Sequence, residues 1–168
     1  MEEIRNRTNN EKIIMIIWKT GNLFDSTCDA LVNPVNTQGV SGSGLAKEFK
    51  SRFPKHVACY EQMQKRRDKM KAGEVMHVYL QDKPNIIFAA TKDHWKNPSQ
   101  FSWIEKNLDA IKRILQDAPT HFNPLARITS VAIPKLGCGL GGLNWEQQIK
   151  PLMIKYLSDI IQTIEIYE

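Results

Sequence analysis

Two segments rich in glycine and asparagine are the part of this sequence best suited to hold a ligand. The first, Val32–Lys47, reads VNPVNTQGVSGSGLAK, and the second, Leu136–Leu143, reads LGCGLGGL. Glycine exposes backbone N–H groups that bind phosphate oxygens, most effectively at the start of a helix. Asparagine amides suit sugar hydroxyls. Two such loops predict a ligand with more than one phosphate, such as a nucleotide derivative.

The two common phosphate-binding motifs do not explain these loops. Gly137, Gly139 and Gly142 satisfy G-x-G-x-x-G, but the 26 residues after Gly142 are too few for the βαβ unit of a dinucleotide-binding fold. The first loop lacks the lysine and hydroxyl residue of a P-loop, because Leu45 follows Gly44 directly. The prediction of phosphate binding therefore rests on the glycines themselves.

Taken together, the two loops resemble those of the macrodomain family, whose members bind ADP-ribose. The resemblance extends from about Met15 to Leu157. Within the family, three features are most similar to the DNA ADP-ribosylglycohydrolase antitoxins of the DarG type. They are the GSGLA sequence of the first loop, the second loop followed by Trp145, and the segment Thr91–Trp95.

The resemblance implies that ADP-ribose lies between the loops and assigns a role to each site residue. Asn36 would face the distal ribose, Lys92 would be the catalytic lysine, and His94 would assist it or position the substrate. Asn22 stands where macrodomains usually carry an aspartate for adenine, and a neutral amide accepts a weaker hydrogen bond. The implied ligand-binding residues are Asn22, Leu23, Asn33, Gly39, Val40, Gly42, Ser43, Gly44, Gly137, Cys138, Gly139, Leu140, Gly141, Gly142 and Leu143.

Lys92 is the residue on which an enzymatic function depends. Cleavage of a glycosidic bond develops positive charge on the sugar and needs a nucleophile or a proton-transfer group. Without its neighbours, Lys92 reads more simply as a surface lysine after a strand, and His94 reads equally well as a loop histidine. Related deacylating macrodomains carry an aspartate at the position of Gly141, so an aspartate-assisted mechanism is not expected here.

Other reactive side chains fit simpler roles. Cys138 could be a nucleophile at a helix start, but a small residue that lets the backbone approach a phosphate is the preferred interpretation. Trp95 is a candidate for stacking on a base. The four histidines share no ligand spacing with one another or with the cysteines, so we expect no metal and no cofactor; they are His56, His77, His94 and His121.

The hydrophobic pattern predicts alternating strands and helices, with the glycine loops at strand ends. This order indicates a three-layer α/β fold with a largely parallel sheet, in which ligands bind at the carboxyl edge. The resemblance implies, more specifically, the three-layer α/β/α macrodomain fold with a mixed, largely parallel central sheet. Residues 1–10 are predicted to be a flexible segment and residues 11–168 a single domain. The predicted strands are 13–18, 28–32, 75–80, 86–90 and 128–134, and the predicted helices are 44–52, 54–70, 99–115 and 144–161.

Composition restricts the remaining possibilities. The 168 residues carry a net charge of +5, and three cysteines without C-x-x-C spacing fit a reduced, cytoplasmic protein. The longest apolar run, Ile13–Trp18, is too short to span a membrane, and we expect a monomer. The basic stretch Lys65–Lys71 is either a solvated helix end or an electrostatic footprint for nucleic acid. The favoured function is removal of ADP-ribose from a nucleic-acid base or a protein side chain, with thymidine in single-stranded DNA as the preferred substrate. The alternatives are a phosphatase acting on ADP-ribose 1″-phosphate and a non-catalytic ADP-ribose reader.

Overall fold

The computed structural model describes residues 3–7, 13–117, 127–160 and 162–168. A short 3₁₀ helix, Leu23–Asp25, follows the second strand, and one π-helical turn, Trp145–Ile149, precedes the last helix. The strands are β1 (Glu3–Arg7), β2 (Ile13–Lys19), β3 (Ala30–Asn36), β4 (Val75–Leu80), β5 (Asp82–Lys92), β6 (Ser130–Pro134) and β7 (Thr163–Tyr167). The helices are α1 (Gly44–Arg52), α2 (Pro54–Met63), α3 (Phe101–Asp117) and α4 (Lys150–Leu157).

These strands form one sheet in the order β1-β2-β7-β6-β3-β5-β4. The four inner pairs are parallel, and the outer pairs β1–β2 and β4–β5 are antiparallel. Alternate residues of β3 enter opposite cores: Val32 joins the core under α3 and α4, whereas Leu31 joins the core under α1 and α2. Helices therefore cover both faces, and the prediction of a three-layer α/β/α fold with a largely parallel sheet is confirmed.

Helix α3 shows how the sequence specifies one of these layers. Ile104, Leu108, Ile111 and Leu115 recur at three- and four-residue intervals and are fully buried against the sheet. Each buried leucine or isoleucine contributes roughly 1.5–3 kcal/mol through removal of apolar surface from water. Because α3 is anchored in this way, it fixes the end of the preceding loop, which connects β5 to α3.

Several predicted boundaries differ from the structure. Glu3–Arg7 form an edge strand within the segment predicted to be flexible, and residues 1–2 and 8–12 lie outside the described residues. Helix α2 ends at Met63 rather than near residue 70, and β5 begins at Asp82, directly after Gln81 in a left-handed turn. Strand β7 was not located, although the alternation in TIEIY is typical of a strand.

Candidate ligand-binding site

A cavity of about 680 Å³ opens at the carboxyl edge of the sheet, where β3, β5, β6 and β7 end. This volume is typical of a small-molecule site, and its position is the one at which α/β folds bind ligands. Its lining comes from both glycine loops, the end of β5 and the chain after β2. The predicted residues among the lining are Leu23, Asn36, Val40, Gly42, Ser43, Gly44, Lys92, Gly137, Gly139, Leu140 and Gly141.

Side chains hold the first glycine loop at the end of β3. The Asn36 amide donates to the Val40 carbonyl at 2.9 Å and accepts from the backbone N–H of Gln38 at 3.0 Å. Tyr60, fully buried in α2, donates its hydroxyl hydrogen to the Asn36 carbonyl at 2.6 Å. Burial raises the pKa of the Tyr60 hydroxyl, so that it remains a donor at neutral pH. The turn at Asn36 is thus fixed before any ligand arrives.

The first loop runs directly into the N-terminus of α1. Ser43, the N-cap residue, makes no side-chain cap hydrogen bond, and the first backbone bond of the helix runs from Lys47 to the Ser43 carbonyl. The N–H groups of Gly44, Leu45 and Ala46 therefore have no acceptor within the helix, and all three residues line the cavity. An uncapped helix end with its positive dipole is suited to a phosphate.

Backbone geometry and lack of space determine the second glycine loop. Its N–H groups at Gly142 and Leu143 bond to the carbonyls of Gly139 and Gly137 at 3.1 and 2.9 Å. No hydrogen bond among the described residues involves the N–H groups of Gly139, Leu140 or Gly141, which line the cavity. Three successive amides of this kind form an anion-binding surface.

Gly141 has no room for a side chain. A Cβ there would lie 2.4 Å from both the Ser99 hydroxyl oxygen and the Gly137 carbonyl oxygen. One of these atoms belongs to the backbone of the same loop, so movement of a side chain cannot relieve the contact. This loop conformation therefore has no space for a side chain at position 141.

Lys92 ends β5 and lies between the two loops. Its backbone carbonyl accepts from Thr37 of the first loop at 3.0 Å. Its ammonium group donates to the Leu140 carbonyl of the second loop at 3.0 Å. Lys92 is half-buried and lines the cavity. The cation is thus held at the cavity wall where the two glycine loops meet.

An apolar rim surrounds Lys92. Trp95, Leu140 and Val40 are 50%, 75% and 41% exposed, although each has a large hydrophobic side chain, and all three line the cavity. Exposed apolar residues grouped at a cavity mouth are typical of a binding surface. The His94 ring stacks on Trp95 at 5.4 Å, and its Nδ1 accepts from the Lys96 backbone N–H at 3.1 Å. His94 supports the rim and is not among the lining residues.

The far end of the cavity is formed by Gly21, Leu23, Tyr167 and Glu168. Asn22 is not among the lining residues, because its side-chain oxygen accepts from the Phe24 N–H at 3.0 Å and caps the 3₁₀ helix. The adenine role implied for Asn22 stays a prediction. The backbone of the Gly21 turn faces the cavity in place of the Asn22 side chain.

Four other predicted residues support the loops from behind, outside the cavity lining. Asn33 is fully buried in β3, and Leu143 packs against the core under α3. Gly39 packs against the Gln64 side chain, and the Gly142 N–H donates to the Gly139 carbonyl within the second loop. Their positions match a structural role in supporting the loops. The spacing of a motif does not by itself distinguish residues of this kind from residues that contact the ligand.

Cys138 lies within the second loop but outside the cavity lining. Its side chain packs against the core, and burial raises the pKa of the thiol to about 11. The thiol is protonated at neutral pH, which argues against a nucleophilic role. The preferred interpretation of Cys138, a small residue that lets the backbone approach a phosphate, stays a prediction.

Sequence reasoning missed several residues of the cavity. Ser99 is 5% exposed, its hydroxyl has no hydrogen-bond partner among the described residues, and its N–H donates to the Gly141 carbonyl at 3.0 Å. Tyr167 and Glu168 were missed because β7 was not located, and locating that strand would have placed them at the carboxyl edge. Within the described residues, no group of three His, Cys, Asp or Glu side chains is placed to hold a metal. His121 lies outside them.

The fold and the paired loops define the class of this protein, and comparison with known families agrees. The Macro domain model matches residues 32–151, more than half of the sequence. The chain belongs to the macrodomain family. In the part of the chain that the structure describes, no helix is long and apolar enough to cross a membrane.

Three relatives place the chain within the family. A Mycobacterium tuberculosis protein named DNA ADP-ribosyl glycohydrolase is 37% identical over 135 residues, which are 79% of this chain and 36% of that protein. The chain thus spans about a third of the length of this curated relative. The macrodomain of Thermus aquaticus DarG superposes with a TM-score of 0.80 at 31% identity, covering 92% of this chain and 98% of that one. Thermosipho africanus DarTG in complex with ADP-ribose gives a TM-score of 0.77 at 30% identity over 90% of this chain and 41% of that one.

Proposed function

We propose that this protein binds ADP-ribose and hydrolyses ADP-ribosyl linkages, with thymidine-linked ADP-ribose in DNA as its substrate. The observation that carries the proposal is the position of Lys92, whose ammonium group lies 3.0 Å from the Leu140 carbonyl between two phosphate-binding loops. The M. tuberculosis relative is named for this activity on DNA, and the T. africanus relative binds ADP-ribose. Both names support the proposal.

The sheet order sets the direction in which the ligand lies. Gly21 follows β2 and Lys92 ends β5, and four strand spacings separate these strands. At about 4.8 Å a spacing, this distance is roughly 19 Å. ADP-ribose would place its adenine at Gly21 and Leu23 and its diphosphate between the α1 N-terminus and Gly139–Gly141. The distal ribose would then reach Asn36 and Lys92.

Lys92 would act at the anomeric carbon of the distal ribose. In its unprotonated form, the amine forms a bond to this carbon as the bond to the base nitrogen breaks and the base leaves with the electron pair and a proton. Water then displaces the lysine and yields free ADP-ribose. Asn36 would orient the ribose through the N–H of its amide that does not bond to Val40. Its rigid turn reduces the entropy lost on binding.

The apolar rim favours a planar leaving group. Trp95 is half-exposed beside Lys92, and an aromatic ring stacks on any nucleobase with roughly 1–3 kcal/mol. A thymine leaving from the anomeric carbon would meet this ring first. The proposed role of His94 is to support Trp95, since its Nδ1 already accepts a backbone hydrogen bond.

The experiment that tests this function measures ADP-ribose released by the protein from a single-stranded oligonucleotide ADP-ribosylated on one thymidine. We expect multiple turnovers without added metal. ADP-ribose 1″-phosphate is the comparison substrate, on which we expect no release of phosphate. Phosphate release without cleavage of the oligonucleotide would indicate a phosphatase, and binding without either reaction would indicate a reader. Each of these results would contradict the proposal.

A further inference from the structure

A cluster of positive charge lies next to the cavity and is not used by the chemistry described above. The basic turn, residues 65–71, contains five cations and one carboxylate. Arg66 pairs with Asp68 at 2.8 Å, and both are exposed. The side chains of Lys65, Arg67 and Lys71 are exposed, and none of them forms a salt bridge among the described residues. The Lys71 backbone N–H donates to the Glu74 carboxylate at 2.8 Å, so a second carboxylate lies at the end of the turn. These three cations are available to a ligand.

Buried contacts fix the basic turn to the first glycine loop. Gln64, 8% exposed, donates to the carbonyls of Thr37 and Met70 at 2.8 and 3.0 Å and accepts from the Met70 N–H at 3.1 Å. One amide therefore joins both ends of the turn to the loop. Buried, fully bonded polar groups of this kind hold a single geometry, so the turn keeps a defined position.

That position is at the Lys92 end of the cavity. Thr37 donates its N–H to the Lys92 carbonyl at 3.0 Å and its hydroxyl hydrogen to the Asp93 carbonyl. Gly73, two residues past the basic turn, donates to the Ala90 carbonyl of β5 at 2.8 Å. The turn precedes β4, which lies beyond β5 at the edge of the sheet. Lys92 thus lies between the adenine end of the cavity and the basic turn.

The two exposed charges that follow Lys92 along the chain are Asp93 and Lys96. The Asp93 carboxylate accepts from the N–H of His94 at 2.7 Å and from Asn97 at 3.2 Å, within its own turn. The Lys96 ammonium lies 4.9 Å from the Trp95 ring centre. A chain attached to the departing base would leave the cavity past Trp95 toward the basic turn. Such a chain needs negative charge at regular intervals, as a phosphodiester backbone supplies.

We propose that the basic turn binds the backbone phosphates of the single-stranded nucleic acid that flanks the ADP-ribosylated nucleotide. This inference rests on the proposed function and assigns its substrate a second contact surface. The test variant is the triple substitution Lys65→Gln, Arg67→Gln and Lys71→Gln. Its matched control is Lys55→Gln, Arg127→Gln and Lys155→Gln, which removes three exposed cations outside the turn and the cavity. Both variants have the same net charge.

Each protein is assayed on two substrates: the ADP-ribosylated oligonucleotide and ADP-ribosylated thymidine without flanking phosphates. The basic-turn variant should raise KM for the oligonucleotide about tenfold or more and leave KM for the nucleoside unchanged. The slope of log KM against log salt concentration should fall by about 2, because each phosphate contact on a single strand contributes about 0.7. The control variant should keep the KM and the salt slope of the parent.

The outcomes separate this inference from the function on which it rests. An unchanged KM for the oligonucleotide, or an equal rise in the control, overturns the basic turn as a phosphate-binding surface while hydrolysis stands. Equal losses on both substrates also overturn it, since the turn would then affect the catalytic site itself. Failure of the parent to cleave either substrate overturns the proposed function and this inference together.

Discussion

The two glycine loops hold their shape by different means. In the first loop, side chains provide the restraint: Asn36 bonds within the turn, and Tyr60 and Gln64 reach it from α2 and the chain just after it. In the second loop, backbone hydrogen bonds and close packing provide it, and Gly137 and Gly141 would each place a Cβ within 3.0 Å of a neighbouring atom. The shape of the first loop depends on several hydrogen bonds, each of which a substitution can remove separately. The shape of the second loop depends on the absence of side-chain atoms at Gly137 and Gly141.

This difference predicts how each loop responds to substitution. Loss of one hydrogen bond costs about 1 kcal/mol, so the first loop should weaken in small steps. An added methyl group in a closely packed segment typically costs 1–3 kcal/mol and displaces the backbone. A single substitution should therefore be enough to disrupt the second loop.

The largest effect is expected at Gly141. Gly141→Ala should lower the free energy of unfolding by about 2–3 kcal/mol and abolish ADP-ribose binding, because a Cβ would meet the Gly137 carbonyl oxygen at 2.4 Å. Gly139→Ala is the matched control for stability, since a Cβ there meets nothing within 4 Å. Denaturant unfolding and titration calorimetry measure the two effects. Equal stability of the two variants would show that crowding does not determine this loop.

A smaller effect is expected at Tyr60. Tyr60→Phe leaves the Asn36 carbonyl without its 2.6 Å hydrogen bond and should cost about 1 kcal/mol of stability and weaken ADP-ribose binding several-fold. Tyr156→Phe removes an equivalent hydroxyl, bonded to Glu105 at 3.0 Å outside the cavity lining. It should leave binding unchanged. If both variants bind ADP-ribose as the parent does, side chains of α2 do not determine the first loop.

The smallest effect concerns the turn after β2, which neither loop restrains. Burial acts to raise the pKa of the Glu165 carboxyl, but hydrogen bonds from Lys19, Ser26 and Tyr167 together hold that pKa below its ordinary value of 4.5. A lowered pKa in the folded state stabilises the protein above about pH 4.5, and this stabilisation is lost as the pH falls further. Glu165→Gln should flatten the fall of Tm between about pH 5 and 3. Identical acid profiles in parent and variant would contradict this assignment.

The sequence predicted the parts of the site that depend on residue type. Glycine and asparagine at strand ends indicated both loops, and the apolar face of α3 predicted its layer. Contacts between distant segments could not be predicted, because a pattern along the chain contains no distances. The burial of Ser99 beside Gly141 and the attachment of Gln64 to Thr37 are of this kind. The basic stretch 65–71 was therefore visible as charge but not as a neighbour of Lys92.

In the proposed mechanism, Lys92 performs the chemistry while the two loops bind the ligand. The most direct test compares single-turnover release of ADP-ribose from the thymidine-linked oligonucleotide by the parent, Lys92→Ala and Lys92→Arg, with the Kd for ADP-ribose measured on the same samples. We expect release to fall at least about 10³-fold in both variants, while Kd changes only a few-fold. Arginine keeps the charge but is not a nucleophile at neutral pH. Release by Lys92→Arg at the rate of the parent would limit lysine to an electrostatic role, and undiminished release by Lys92→Ala would contradict the account.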